Sequence, residues 1–329
     1  MSGPSHFTIT QTSNTQCNLV LFADDTSMIV KLTDPMDFNN TIQRNITNAD
    51  RWFKNNSLSL NTDKTHLLQF HTKSDQIKDL QVYYENKQIT TVSTIKFLGL
   101  IIDSTLSWKQ HIDSIIPKLN KACFAIRLVK PYMTLETLRT IYFSYFHSVL
   151  IYGIIFWGNS VHSQHIFKIQ KRMIRLITNL GVKDSCRCVF KELGILPLYS
   201  QYLYSLLIFV AKNRDLFKAN TDFHSISTRH KNDLHLPSAQ LKVFQRGVYF
   251  SGIKAYNHLL INIKELSYDV KRFKPALKTF FQINSFYFLE EYFNFNPIVN
   301  GDTLSNTSDC SCIRILLSST AFSSVLQMD

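Results

Sequence analysis

Apolar positions in the first hundred residues fall in short runs separated by turn residues. Between residues 18 and 30 an apolar run, an Asp-Asp pair and a second apolar run follow one another, which is the pattern of a β-hairpin. Asp34-Pro35 then reads as a helix start, with aspartate as cap and proline in the first turn. Met36, Ile42, Ile46, Ala49, Trp52 and Phe53 recur at three- and four-residue steps, and Asn55-Asn56 should end that helix. Residues 65–71 and 95–103 read as strands. Segments 81–84 and 88–91 flank a turn at Glu85-Asn86-Lys87.

Past residue 105 the period changes to that of a helix. Trp108, Ile112, Ile115, Leu119, Cys123 and Ile126 form one stripe, and Pro117 within it should kink or split the helix. Residues 135–157 and 165–180 predict two more helices. Residues 191–290 read as helical and loop-rich, and the tail from about residue 300 as poorly ordered. The eighteen residues 141–158 carry no Lys, Arg, Asp or Glu. Ser144, His147, Ser148, Gly153 and several aromatic residues dilute that run, so it predicts a buried helix rather than a membrane span. The fold class is therefore α+β, with strands and one helix first and helices after.

Composition narrows the function classes. Hydrophobic residues make up 45% of the chain and aromatic residues 13%, which excludes a disordered tail. Six cysteines in 329 residues exclude a disulfide scaffold. Lys and Arg total 36 against 24 Asp and Glu, a net charge of +12. The stretch 106–190 holds twelve basic and three acidic residues, so it carries +9 of that excess. Such a chain has a polyanion as its default partner. Residues 1–16 contain neither a basic cluster nor an apolar run, so an intracellular place, nucleus or cytoplasm, is expected.

Three groups of residues could carry chemistry. Phe22-Ala23-Asp24-Asp25 places two adjacent carboxylates at a hairpin tip, where both can face one cleft and suit a magnesium ion. Taken alone, the pair reads equally well as a solvated turn. Lys118, Lys121, Arg127 and Lys130 form one basic cluster. Lys168, Lys171, Arg172 and Arg175 form another, on one helix face at three- and four-residue spacing. With few acids between them, both point to phosphate. Cys186-Arg187-Cys188 and Cys310-Ser311-Cys312 lack the spacing of a structural zinc site.

The order of four motifs is more specific than any one of them. The run LFADDTSMIV, a helix with Trp52, then SLSLNTDKTHLLQF and IKFLGLIIDSTLSWKQHI resembles reverse transcriptases of non-LTR retrotransposons, the jockey-like group of LINE elements. The resemblance covers roughly residues 15–285. It implies a partial palm, an antiparallel sheet with a helix, over residues 1–105, with a primer-grip hairpin. A helical thumb over 106–190, a helical C-terminal region over 191–295 and a poorly ordered tail over 296–329 would follow. It also implies two-metal nucleotidyl transfer with Mg2+, Asp24 and Asp25 as metal ligands and catalytic carboxylates, and Lys64 beside the incoming triphosphate. Phe97, Leu98 and Gly99 would form the primer grip. Lys118, Lys121, Arg127, Lys168, Lys171, Arg172 and Arg175 would meet nucleic acid. RNA template, DNA primer or their RNA–DNA duplex would be the partners, with dNTP only in a complete palm and no membrane. In this family a further aspartate, on an earlier strand, completes the metal site; residues 1–21 contain no acidic residue. The expectation is thus a C-terminal part of such an enzyme, inactive alone. The alternative is a non-catalytic, basic RNA- or DNA-binding remnant.

Overall fold

The computed structural model describes residues 16–22, 25–31, 38–72, 80–223 and 233–296. The chain divides into two compact units, Met1–Ser107 and Trp108–Asp329. The expected cap at Asp34-Pro35 and the expected poorly ordered tail lie outside the described residues.

In the first unit, β1 (Gln16–Phe22) and β2 (Asp25–Lys31) pair antiparallel, with Phe22 opposite Asp25. Helix α1 runs Phe38–Asn55 and ends where the sequence says it should. Short strands follow: β3 (His66–Leu68), β4 (Tyr83–Tyr84), β5 (Lys87–Gln88), β6 (Thr90–Val92), β7 (Thr94–Phe97) and β8 (Leu100–Asp103). Instead of one antiparallel sheet, the described residues form four two-stranded sheets. One of these, β3 with β6, is parallel. Turns arrive too often for wider pairing, with Glu85, Asn86, Leu98 and Gly99 all at positive φ. What joins the pieces is α1. Ile42 packs with Leu80, Val82, Tyr84 and Ile89 in a small core. The Gln43 amide clasps the Tyr83 backbone, donating to its carbonyl at 2.7 Å and accepting from its N–H at 3.0 Å.

The second unit is helical. It comprises α2 (Lys109–Val129), α3 (Leu135–Ile141), a π-helical stretch at Tyr142–His147, α4 (Ser148–Ile151), α5 (Ile154–Trp157), α6 (Ser163–Thr178) and α7 (Arg187–Glu192). After these come α8 (Leu198–Lys212), α9 (Lys242–Arg246), α10 (Val248–His258), α11 (Ile261–Lys264), α12 (Val270–Asn284) and α13 (Leu289–Phe293). Helix α8 is apolar nearly all round, as a central helix must be. Its neighbours are α5, α6, α10 and α12. One core runs from Ile112 through Tyr292.

Two expectations are corrected here. Pro117 does not split α2, which is continuous across it. Ile112, Ile115, Leu119, Cys123 and Ile126 are all buried on one stripe, and that packing holds the two halves in line. Conversely, 135–157 is not one helix. It turns π-helical at Tyr142 and breaks at Tyr152-Gly153, where Gly153 has φ 61. One face of it still goes inward, with Tyr142, Phe146, Leu150, Ile154 and Trp157 buried, while Tyr145, Ile151, Tyr152 and Phe156 are exposed. Among the described residues, no helix is long and apolar enough to cross a membrane.

The π-helical stretch makes stability depend on pH. His147 lies against Tyr142 and Phe143, with ring centroids 5.9 and 5.2 Å away, and its Nδ1 has no partner. Burial, helped by the Lys278 charge, holds its pKa down to about 4. Unfolded histidine titrates near 6.5, so between those values the unfolded chain binds a proton that the folded chain refuses. Stability from this group is complete above pH 6.5 and falls as pH drops towards 4, with about 2 kcal/mol lost by pH 5. Burial lowers His111 as well, in the same sense. Thermal melts at pH 7 and pH 5 should therefore differ, and His147→Gln should shrink the difference. Equal pH dependence in the two proteins would show that His147 is not responsible.

Candidate nucleic-acid interface and metal-site residues

In the first unit the structure places the expected polymerase residues as follows. Asp24 lies outside the described residues. Asp25 is the first residue of β2 and is exposed. The hairpin exposes Val20, Phe22 and Ile29, three large apolar side chains on the Asp25 face by register. Lys64 closes a single 3-10 turn, Thr62–Lys64. Asn61 caps that turn, its Oδ1 accepting from the N–H groups of Asp63 (3.1 Å) and Lys64 (3.3 Å). The cap fixes the Lys64 backbone while the side chain stays exposed.

Phe97, Leu98 and Gly99 form the tip of the β7–β8 hairpin. Phe97 pairs with Leu100, and Leu98 (φ 45) and Gly99 (φ 81) make the two-residue turn. Gly99 thus serves the turn, and no bulge is needed to explain it. Asp103, at the far end of β8, is buried. Its carboxylate accepts from the N–H and hydroxyl of Thr105 (3.1 and 2.6 Å) and from those of Ser107 (2.9 and 3.2 Å). That carboxylate holds the turn after β8. Asp50 is likewise committed, accepting from the Tyr84 hydroxyl at 2.6 Å and pairing with Lys54 at 2.9 Å. The Tyr84 hydrogen bond, then Lys54, holds its carboxyl below the usual range.

Among the described residues these donors do not come together as a magnesium site. Magnesium needs several oxygen ligands in near-octahedral array. Among the described residues no group of three His, Cys, Asp or Glu side chains could hold a metal ion, and Asp25 stands as a single exposed carboxylate.

In the second unit the two basic clusters come together. α2 packs along α6, and the Arg172 guanidinium donates to Asn120 Oδ1. Further along the same pair, the Lys130 ammonium donates to Asn179 Oδ1. Both Arg127 and Arg172 lie close enough to act on the Cys123 thiol, although burial dominates and raises it. Lys118, Lys121, Arg127, Lys168 and Arg172 are exposed on this surface. Lys171 and Arg175 are partly buried and differently occupied. The Lys171 ammonium sits 4.8 Å from the Phe167 ring centroid and 5.9 Å from that of Tyr287. Arg175 donates to the Asp184 carbonyl at 2.9 Å. Residues 118–132 and 163–178 contain no acidic residue.

No family model matches the chain, and no solved structure matches it. Among curated proteins it is 25% identical over 166 residues to "Probable RNA-directed DNA polymerase from transposon BS" of Drosophila melanogaster. The match takes in 49% of this chain and 18% of that protein. This chain is related to a transposon RNA-directed DNA polymerase.

Against that relationship, one feature stands out that sequence reading passed over. Phe124 and Leu128 on α2 are 60% and 57% exposed, and Tyr132, one turn on, is 84% exposed. The signal was present: all three fall off the buried Ile112–Ile126 stripe, among the lysines and arginines. Among the described residues the cysteines belong to no group that could hold a metal ion. Cys186 is buried, its thiol facing the Lys171 carbonyl at 3.8 Å, and burial pushes its pKa up. Cys310 and Cys312 lie outside the described residues.

Proposed function

We propose that this chain is part of the reverse transcriptase of a non-LTR, jockey-like retrotransposon, and that its α2–α6 surface holds the nucleic acid. The observation that carries the proposal is the joining of two basic segments, 118–132 and 163–178, neither of which holds an acid, on one surface, in a chain related to a transposon polymerase. In this reading residues 1–105 belong to the palm, 106–190 to the thumb and 191–295 to the helical region behind it. An RNA–DNA duplex of template and primer is the partner, and dNTP the substrate of the complete palm. Asp24 and Asp25 are two of the carboxylates that would hold Mg2+, whose chemistry when bound is to activate the primer hydroxyl and steady the triphosphate. Lys64, on its capped turn, would neutralise the leaving pyrophosphate. The Phe97–Gly99 tip offers an exposed turn to the primer backbone.

A second reading, a binding remnant without catalysis, is favoured by the commitment of Asp50 and Asp103 to structural contacts. Both readings require salt-sensitive binding with little sequence preference. The full chain should bind an RNA–DNA duplex, and its affinity should fall with salt at about 0.9 log per log for each phosphate contact. Changing Lys118, Lys121, Arg127 and Lys168 together to Ala should reduce that slope by up to about 3.6 and cost at least about 100-fold at moderate salt. The pair Lys171→Ala and Arg175→Ala should alter the slope less, because those side chains are held within the protein. No binding at low salt, or binding indifferent to salt, would leave the surface as solvated charge and remove both readings.

A further inference from the structure

We infer that the outer face of α2, continued by the turn at Tyr132, is a stacking platform for the bases of a single-stranded nucleic acid. The inference rests on the nucleic-acid reading of the α2–α6 surface and goes further, because phosphate neutralisation needs no apolar side chains. Phe124 and Leu128 lie four residues apart on α2, about 6 Å along its axis, and Tyr132 follows four residues later, at the end of the 3-10 turn Lys130–Tyr132. All three are more than half exposed. Met133 and Leu135, 43% and 51% exposed, extend the apolar ground beyond them.

Neighbouring exposed apolar side chains rimmed by charged ones are a feature of binding surfaces. Charge complementarity selects the occupant. Lys118, Lys121 and Arg127 are exposed along α2 among these residues, and no acid occurs from residue 118 to residue 132. An aromatic and basic surface matches a ligand with alternating phosphates and flat apolar rings. A duplex keeps its ring faces stacked inside and can use only the charges. A single strand can lay successive bases on Phe124 and Tyr132, with Leu128 between them, while its phosphates follow Lys121 and Arg127. Such binding tolerates any sequence, because every base has a π-face.

The test uses the full chain with three probes of similar charge: an oligouridylate, a blunt RNA–DNA duplex and heparin. The double variant Phe124→Ala with Tyr132→Ala should weaken oligouridylate binding about tenfold or more. Its salt slope should match the parent's, and duplex and heparin binding should change less than twofold. Both residues are exposed, so an unchanged melting temperature is expected. Lys121→Ala with Arg127→Ala should instead lower the salt slope for all three probes. If the parent binds none of the probes at low salt, the polyanion reading falls and this inference with it. If the parent binds and the aromatic variant binds oligouridylate as well as the parent, only the platform is wrong. A change in oligomeric state in the aromatic variant, with oligouridylate affinity intact, would also overturn the platform and make the face a contact between copies of the chain.

Discussion

Gln170→Leu is expected to unfold the second unit about 10 °C earlier than the parent, a loss of about 4 kcal/mol. Gln170 is fully buried on the inner face of α6 and is the point where three segments meet. Its amide nitrogen donates to the Tyr142 hydroxyl and to the Leu196 carbonyl, both at 3.0 Å. Its oxygen accepts from the Leu198 N–H at 2.8 Å, at the first residue of α8. Leucine fills nearly the same volume, so little cavity forms. It leaves a backbone carbonyl, a backbone N–H and a phenol without partners in an apolar interior, and each costs about 1–3 kcal/mol. Gln170→Glu should fare no better, because a carboxylate cannot donate to Leu196 and its charge would be buried. Denaturant midpoints followed by circular dichroism measure the effect. A midpoint for Gln170→Leu within a few tenths of a kcal/mol of the parent would show that water or rearrangement satisfies those groups. The same substitution bears on function, since α6 carries Lys168, Lys171, Arg172 and Arg175 on the opposite side. Loosening the helix should weaken polyanion binding without removing a charge.

Gln170 also shows where sequence reading stops. The α2 stripe, the end of α1, the turn at Glu85-Asn86 and the extent of α6 all follow from local rules, because periodicity and turn chemistry act within a few residues. Gln170 follows from nothing local. In the sequence it is a polar residue between Ile169 and Lys171, and only the arrival of residues 142, 196 and 198 turns it into a buried joint. Pro117 is the same lesson reversed. The local rule says break, and burial of Ile112 through Ile126 overrides it. The parallel pairing of β3 with β6 was invisible because three-residue strands carry too little pattern to declare a partner. The basic clusters were readable one at a time. That Asn120 takes a hydrogen bond from Arg172, and so sets the clusters side by side, is a matter of helix packing. The polymerase residues were readable only through the order of their motifs, since Asp25 and Lys64 are, by geometry alone, ordinary exposed side chains.

That geometry leads to the last expected result: these 329 residues alone, with magnesium or manganese, should extend a primed RNA template no faster than background. Two metal ions in line with a phosphoryl transfer need carboxylates from more than one segment, because one short hairpin reaches only one side of them. Asp24 and Asp25 are neighbours in the sequence, and so come from one segment. Asp50 is held by Tyr84 and Lys54, and Asp103 by Thr105 and Ser107, and freeing either would sacrifice the contacts it makes. Glu85 pairs with Lys54 at 3.2 Å. Residues 1–21 offer no acid. Supplying in trans a palm segment that carries the third aspartate should restore measurable extension. Asp24→Ala should then abolish it, and Lys64→Ala should lower it about 100-fold while leaving duplex binding unchanged. Restoration that ignores Asp24→Ala would put the chemistry in the added segment and leave this chain as a binding module. Extension by the 329 residues alone that disappears in Asp24→Ala would reveal a carboxylate completing the site from within this chain.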